Sequence, residues 1–188
     1  PPPEFYSAFT EGRTGWPLVD AAIAMLKQTG WLNFRMRAML VSVASYLLWM
    51  HWRPIGLWLA RLFLDYEPGI HWPQIQMQAG TTGINTIRIY NPIKQAMQLD
   101  PQGHFVREWL PYMKEVPTLW LFEPWRMPSD VQNRFGLKVG KDIPVPLVDL
   151  DRAIRQAKER LSTIRTRPDT QELAQLIIRR HGSRPGMP

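Results

Sequence analysis

After Arg37 the chain is almost continuously apolar as far as Trp52, reading "AMLVSVASYLLWMHW". A helix that is apolar all round has to be buried on several sides. This run is therefore expected to be the central helix, and the rest of the chain must wrap it. It is shorter than the roughly 18 uncharged apolar residues that mark a membrane span. The wrapping is therefore protein, and no membrane partner is expected.

The flanking segments supply the wrap. "TGWPLVDAAIAMLKQTGW" predicts a helix with Pro17 in its first turn and an apolar face of Leu18, Ala21, Ala22 and Met25. Gly30 stands where a left-handed C-terminal residue belongs. Beyond the central run, Pro54 restarts a helix, "IGLWLARLFLD", ending near Asp65. Pro73 then opens a short one, "PQIQMQAG", closed by Gly80. "NPIKQAMQLDPQGHFVREWLPYM" predicts two helices about a turn with Pro101 second and Gly103 fourth. Residues 117–147 are Pro-rich and read as short helices and turns. "DLDRAIRQAKERLSTIR" places Leu150, Ile154, Ala157, Leu161 and Ile164 on one amphipathic face. A last helix, "DTQELAQLIIRRHG", carries Asp169 and Glu172 at capping-box spacing. Strand alternation is nearly absent, so the fold class is all-α. Residues 1–147 are expected to form the main helical domain, with basic helices at 148–188 packing on it.

At 188 residues and 45% hydrophobic content, the chain can bury the core of one folded domain. It has no cysteine, which removes disulfides and thiolate metal sites and fits a reducing, cytoplasmic compartment. No signal peptide is legible, and the chain begins at Pro1 rather than Met, as a fragment or processed product does. The net charge of +7 is uneven: residues 1–130 hold 11 basic and 10 acidic residues, residues 131–188 hold 12 and 6. Such an excess suits a polyanion or simply a solvated surface.

The stretch "LDYEPGIHWPQIQMQAGTTGINTIRIYNP" (64–92) concentrates the chemistry. Arg37 enters an apolar run and needs an anionic partner, for which Asp65 and Glu67 are candidates. Either a structural ion pair or a site satisfies that need. Asp65, Glu67 and His71 carry metal-donor atoms, yet D-x-E-x3-H matches no standard zinc spacing, so no metal is expected. "AGTTGIN" lacks the Gly-Lys-Ser/Thr of a P-loop and reads as a connecting loop. Arg35, two residues from Arg37, points to another helix face. Ser42 and Ser45 have no His–Asp partner at sensible spacing. The nine tryptophans are core, interface, or a stacking surface for bases or a ring cofactor.

The ordered set is more specific than its parts. "TGWPLVDAAIAMLKQTGWLNFRMR" resembles T-G-x-P-x-V-D-A-x-M-R-x-L-x-x-T-G-W…R-x-R-M of the FAD-binding domain in the DNA photolyase and cryptochrome family. The family's W-R-x-G, L-D-x-D/E, R-I/V-F/Y-N-P-x-x-Q and D-x-x-G-x-F-I/V-R follow in order, as "WRPIG", "LDYE", "RIYNPIKQ" and "DPQGHFVR". The resemblance implies a helical domain that holds FAD and absorbs blue light, to repair pyrimidine-dimer-containing DNA or to signal. It implies that Arg37 lies beside the flavin and pairs with the second acidic position, Glu67, while Asp65 takes the first. It sets His71 at flavin N5, where a residue influences the redox state that accumulates, and Phe34 where the family has a polar flavin contact. Trp52 matches the middle member of the family's electron-transfer tryptophans. The inner member falls on Ile75, leaving Trp31, Trp49 and Trp72 as substitutes. Arg35 and Arg88 fit DNA-backbone contacts, and Met77 stands where a tryptophan flanks the lesion. The antenna domain and the first part of the FAD-binding domain have no counterpart here, so the resemblance implies a fragment or completion by the other half in trans. The alternative is a degenerate, non-catalytic module binding nucleic acid or a partner protein.

Overall fold

The computed structural model describes residues 1–82 and 86–181. Ten α-helices follow in order among these residues: α1 Glu4–Glu11, α2 Pro17–Thr29, α3 Phe34–Ser42, α4 Trp52–Leu62, α5 Pro68–Gln78, α6 Pro92–Leu99, α7 His104–Trp109, α8 Ser129–Arg134, α9 Leu150–Arg165 and α10 Pro168–His181. Short 3-10 turns fill the Pro-rich stretch between α7 and α8, and no β-strand occurs among the described residues. The all-α expectation holds. No described helix is long and apolar enough to cross a membrane.

The apolar run is central but is not one helix. α3 ends at Ser42, widens into a π-turn at Val43–Leu47, and stops. Trp49 then takes a left-handed φ of 55°, a conformation costing a bulky residue about 1–2 kcal/mol. Met50 N–H returns to Ala44 O at 2.8 Å, closing the bend. Arg160 of α9 lies 4.6 Å over the Trp49 ring. α4 begins afresh at Trp52, with His51 Nδ1 accepting from Arg53 N–H at 3.2 Å. Met39–Ala44, Tyr46–Leu48 and Met50 are buried, with α9 packed on the π-turn and α4 and α5 against α3.

α2 forms the second layer, packed on α6 and α7 and burying Leu18, Ile23 and Leu26 completely. Its N-terminus is tied by Asp20, whose carboxylate accepts from Thr14 N–H (2.8 Å), Thr14 Oγ1 (2.6 Å) and Gly15 N–H (3.0 Å). Gly30 ends α2 at φ 70° as expected. Its carbonyl accepts from Leu64 N–H at 3.0 Å, anchoring the segment after α4.

Three helix starts differ from the sequence reading, the first being α4, which begins at Trp52, two residues before Pro54. α5 begins at Pro68, five residues before Pro73, because the Glu67 carboxylate accepts from Gly69 N–H (3.0 Å) and Ile70 N–H (2.6 Å). Pro73 sits inside the helix, where it removes one hydrogen bond without ending it. At the far end, α10 begins at Pro168, so Asp169 is already helical and the Asp169–Glu172 capping box does not form. Asp169 instead bonds Thr170 N–H (2.8 Å) and Arg167 (3.0 Å). In α9, Leu150, Ala153 and Ala157 are buried, while Ile164 stays exposed past the end of the body.

Candidate functional site

α3, α4 and α5 converge on a cavity of about 320 Å³, at the low end of ligand-pocket size. Its apolar side is built by Val41, Leu59, Phe63 and Ile75. Its polar side carries Arg37, Asp65, His71, Gln74 and Gln78, and Phe34, Tyr66 and Tyr90 add rings.

Arg37 is fixed four ways. Its Nη2 donates to Asp65 Oδ2 at 2.7 Å, and its Nε donates to Leu32 O at 2.7 Å. Its guanidinium lies 4.1 Å over the Phe63 ring and 5.2 Å over Phe34. The expectation of a pair with Glu67 is corrected: the partner is Asp65, because both Glu67 oxygens are engaged at the start of α5. The hydrogen bond from Arg37 holds the Asp65 carboxyl below its ordinary range, against a small opposing effect of burial. The pair is half open to the cavity, with Asp65 more exposed than Arg37.

His71 is buried, with Phe63, Tyr66 and Trp72 each presenting an edge at 5.0–6.1 Å between ring centres. Its Nε2 is 2.9 Å from Gly56 O. A carbonyl only accepts, so Nε2 carries the proton and Nδ1 keeps its lone pair. Burial lowers the His71 pKa, the Gly56 contact opposes this, and the nearby Arg37 charge lowers it further. The ring is therefore neutral at pH 7. Gly56 makes this approach possible: a Cβ there would lie 2.7 Å from the Trp72 ring.

Trp52 stands at the start of α4, stacked on His51 at 5.6 Å and edge-on to Trp72 at 6.2 Å. Trp72 in turn meets His71 at 5.0 Å and donates to Tyr66 Oη at 3.2 Å. Trp49 is instead beneath Arg160, and Trp31 is exposed. Phe34 and Glu67 line the cavity; Met77, on α5, does not. Arg35 and Arg88 are brought together on a neighbouring groove. Of "AGTTGIN", residues 83–85 lie outside the described residues. Among the described residues no three His, Asp or Glu side chains converge as a metal site would need.

Tyr66, Phe63, Tyr90, Gln74 and Gln78 were missed from sequence. One signal was available for the two glutamines. Ile70, His71, Gln74, Ile75 and Gln78 form a helical stripe, visible only once α5 is started at Pro68 rather than at Pro73.

A sequence profile described as the FAD binding domain of DNA photolyase matches residues 2–163. A cryptochrome-1 from Aedes aegypti is 34% identical over 93% of this chain and 31% of its own length. A deoxyribodipyrimidine photo-lyase from Alkalihalophilus pseudofirmus is 30% identical over 80% of this chain and 32% of its own. A cryptochrome structure from Synechocystis superposes with a TM-score of 0.79 at 30% identity, covering 84% of this chain and 33% of that one. The chain thus spans about a third of the length of the relatives it matches. From the profile match, the helical order and these likenesses together, the chain belongs to the family of the FAD-binding domain of DNA photolyase.

Proposed function

We propose that this chain forms one wall of a FAD site in a blue-light-driven flavoprotein of the photolyase and cryptochrome type, acting on DNA with pyrimidine dimers. The observation that carries the reading is the Arg37–Asp65 pair at the open edge of a cavity with an apolar floor. That donor set fits a flat ring system with one polar, electron-rich edge. When bound, FAD supplies an excited-state electron on absorbing blue light.

Arg37 presents a fixed positive charge to the ring edge, since Leu32 O, Asp65 and Phe63 leave its guanidinium one position. Val41, Leu59 and Ile75 would keep water from a ring bound in the cavity. His71, neutral and with Nδ1 bare, would serve a bound flavin as a proton acceptor rather than a donor. Trp72, edge-on to His71 and to Trp52, would stand in for Ile75 as the inner member of an electron route to a bound flavin, with Trp52 behind it. The exposed rings and aliphatics beside the cavity, Phe34, Leu64 and Ile70 among them, are covered by the part of the protein that completes the site, in cis or in trans.

The test is a titration of FAD into the purified chain, followed by flavin fluorescence. Saturable quenching is expected, and Asp65→Ala should weaken it roughly tenfold, because Arg37 loses its hydrogen-bonded anion. Flavin fluorescence that ignores the protein would sink the reading.

A further inference from the structure

α10 has two faces with different surroundings. Thr170, Ala174 and Ile177 recur at i, i+4 and i+7 and are half-buried, and α9 is the helix it packs on. A second stripe, Asp169, Leu173, Leu176 and Arg180, falls within about 60° of arc at about 100° per residue. All four members are exposed, Leu173 to 62% and Leu176 to 47%. The stripe has no part in the flavin cavity. The matched family profile ends at residue 163, so α10 lies beyond what the family domain accounts for.

Acid at the start of a helix and base at its end are what the helix dipole favours, and that order alone points to no partner. The leucines give it a register. The midpoint between Leu173 and Leu176 is also the midpoint between Asp169 and Arg180. A second α10, turned end for end about that point, sets Leu173 on Leu176 and Asp169 on Arg180, each twice. A parallel copy would instead set Asp169 on Asp169 and Arg180 on Arg180. The flank agrees: Glu172 and Arg179 lie on the same side of the stripe, and a two-fold axis brings like flanks together, so acid meets base there too. Glu172, Arg179 and Arg180 take part in no ion pair among the described residues. Asp169 holds the exposed Arg167, and its carboxylate has lone pairs for a second donor. We propose that α10 is a self-association surface whose occupant is a second copy of this chain, bound as an antiparallel, two-fold helix pair. Four leucines leave water at its centre, and both ends carry opposed charges. Its 14 residues span about 21 Å. So short a seam falls below the roughly 1,200 Å² of a standard interface, so the dimer is reversible and set by chain concentration. The inference needs neither FAD nor DNA and stands apart from the flavin reading.

The experiment is sedimentation velocity of the chain over about a hundredfold range of concentration. The mass should rise from that of one chain toward that of two. Leu173→Ser/Leu176→Ser should weaken the association at least roughly tenfold. Ile178→Ser, an exposed apolar residue on another face of α10, should leave it unchanged. Arg180→Glu and Asp169→Lys each set like charges opposite one another, so each alone should stay monomeric, while an equal mixture of the two should dimerise. Far-ultraviolet circular dichroism shows that α10 persists in each variant. A wild-type chain that remains monomeric throughout overturns the proposal, and so does a dimer that survives the leucine changes or is lost equally with Ile178→Ser. Binding of a monomeric chain to phosphatidylserine vesicles through the same leucines would assign the stripe to a membrane surface and also overturn it. FAD titration of the leucine variant keeps the two readings apart, since its flavin quenching should match that of the wild type.

Discussion

Two carboxylates in this chain meet opposite fates. Asp65 is exposed and held low by Arg37. Asp20 is fully enclosed, and burial raises its pKa to about 6 despite bonds from Thr14 and Gly15 that lower it. A folded pKa above the unfolded value means that the native state binds the proton more tightly. The stability this gives is complete below about 3.8 and is lost as pH rises through about 6. Asp20→Asn removes that dependence and leaves one backbone N–H of the Thr14–Gly15 turn unsatisfied, costing about 1–3 kcal/mol. Melting curves between pH 4 and 7 should show the gap between wild type and variant narrowing as pH rises. A constant gap would assign Asp20 a purely geometric role.

At the scale of elements, the site depends on how closely α4 and α5 approach, and Gly56 sets that distance. Gly56→Ala would bring a methyl within 2.7 Å of the Trp72 ring and 3.3 Å of Ile75 Cγ2. Overpacking of this kind costs about 1–3 kcal/mol. The expected result is a lower melting temperature with a changed near-ultraviolet tryptophan signal, as Trp72 leaves Trp52 and His71 shifts from Gly56 O. An unaltered spectrum would show that the helices absorb the methyl elsewhere. This contact could not have been read from sequence, because a glycine within a helix carries no signal of what faces it. α2 was legible because Pro17 and Gly30 mark its ends. The break after Leu47 was not: nothing apolar distinguishes Trp49 from its neighbours, and its left-handed backbone is imposed by the return of the chain to α4. The start of α5 was hidden for the opposite reason. Pro73 looks like a beginning, but Pro68 with Glu67 before it is the stronger one.

Across the whole molecule, the central apolar run was legible as the organiser of the fold, and motif order placed Arg37, Asp65 and His71 in one neighbourhood. Which acid Arg37 chooses was not legible, since Asp65 and Glu67 offer the same group two residues apart. The backbone decides it, by committing Glu67 to α5. Nor could the sequence show Arg35, Arg88, Lys94 and Lys158 as neighbours, because only the packing of α3, α6 and α9 assembles them.

One hydroxyl joins the cavity to the groove. Ser42 Oγ donates to Arg88 O at 3.1 Å and accepts from Tyr90 N–H at 3.0 Å, pinning both residues to the end of α3. Tyr90 faces both spaces. Thermodynamic linkage then binds their occupants to one another. On the proposed function, whatever factor FAD applied to the affinity for DNA, DNA would have to apply to the affinity for FAD. With Ser42→Ala the clamp is gone, and both factors should fall toward unity together. Titrating each ligand in the presence and absence of the other measures them; a variant that keeps the full factor would show that the two spaces communicate by another route.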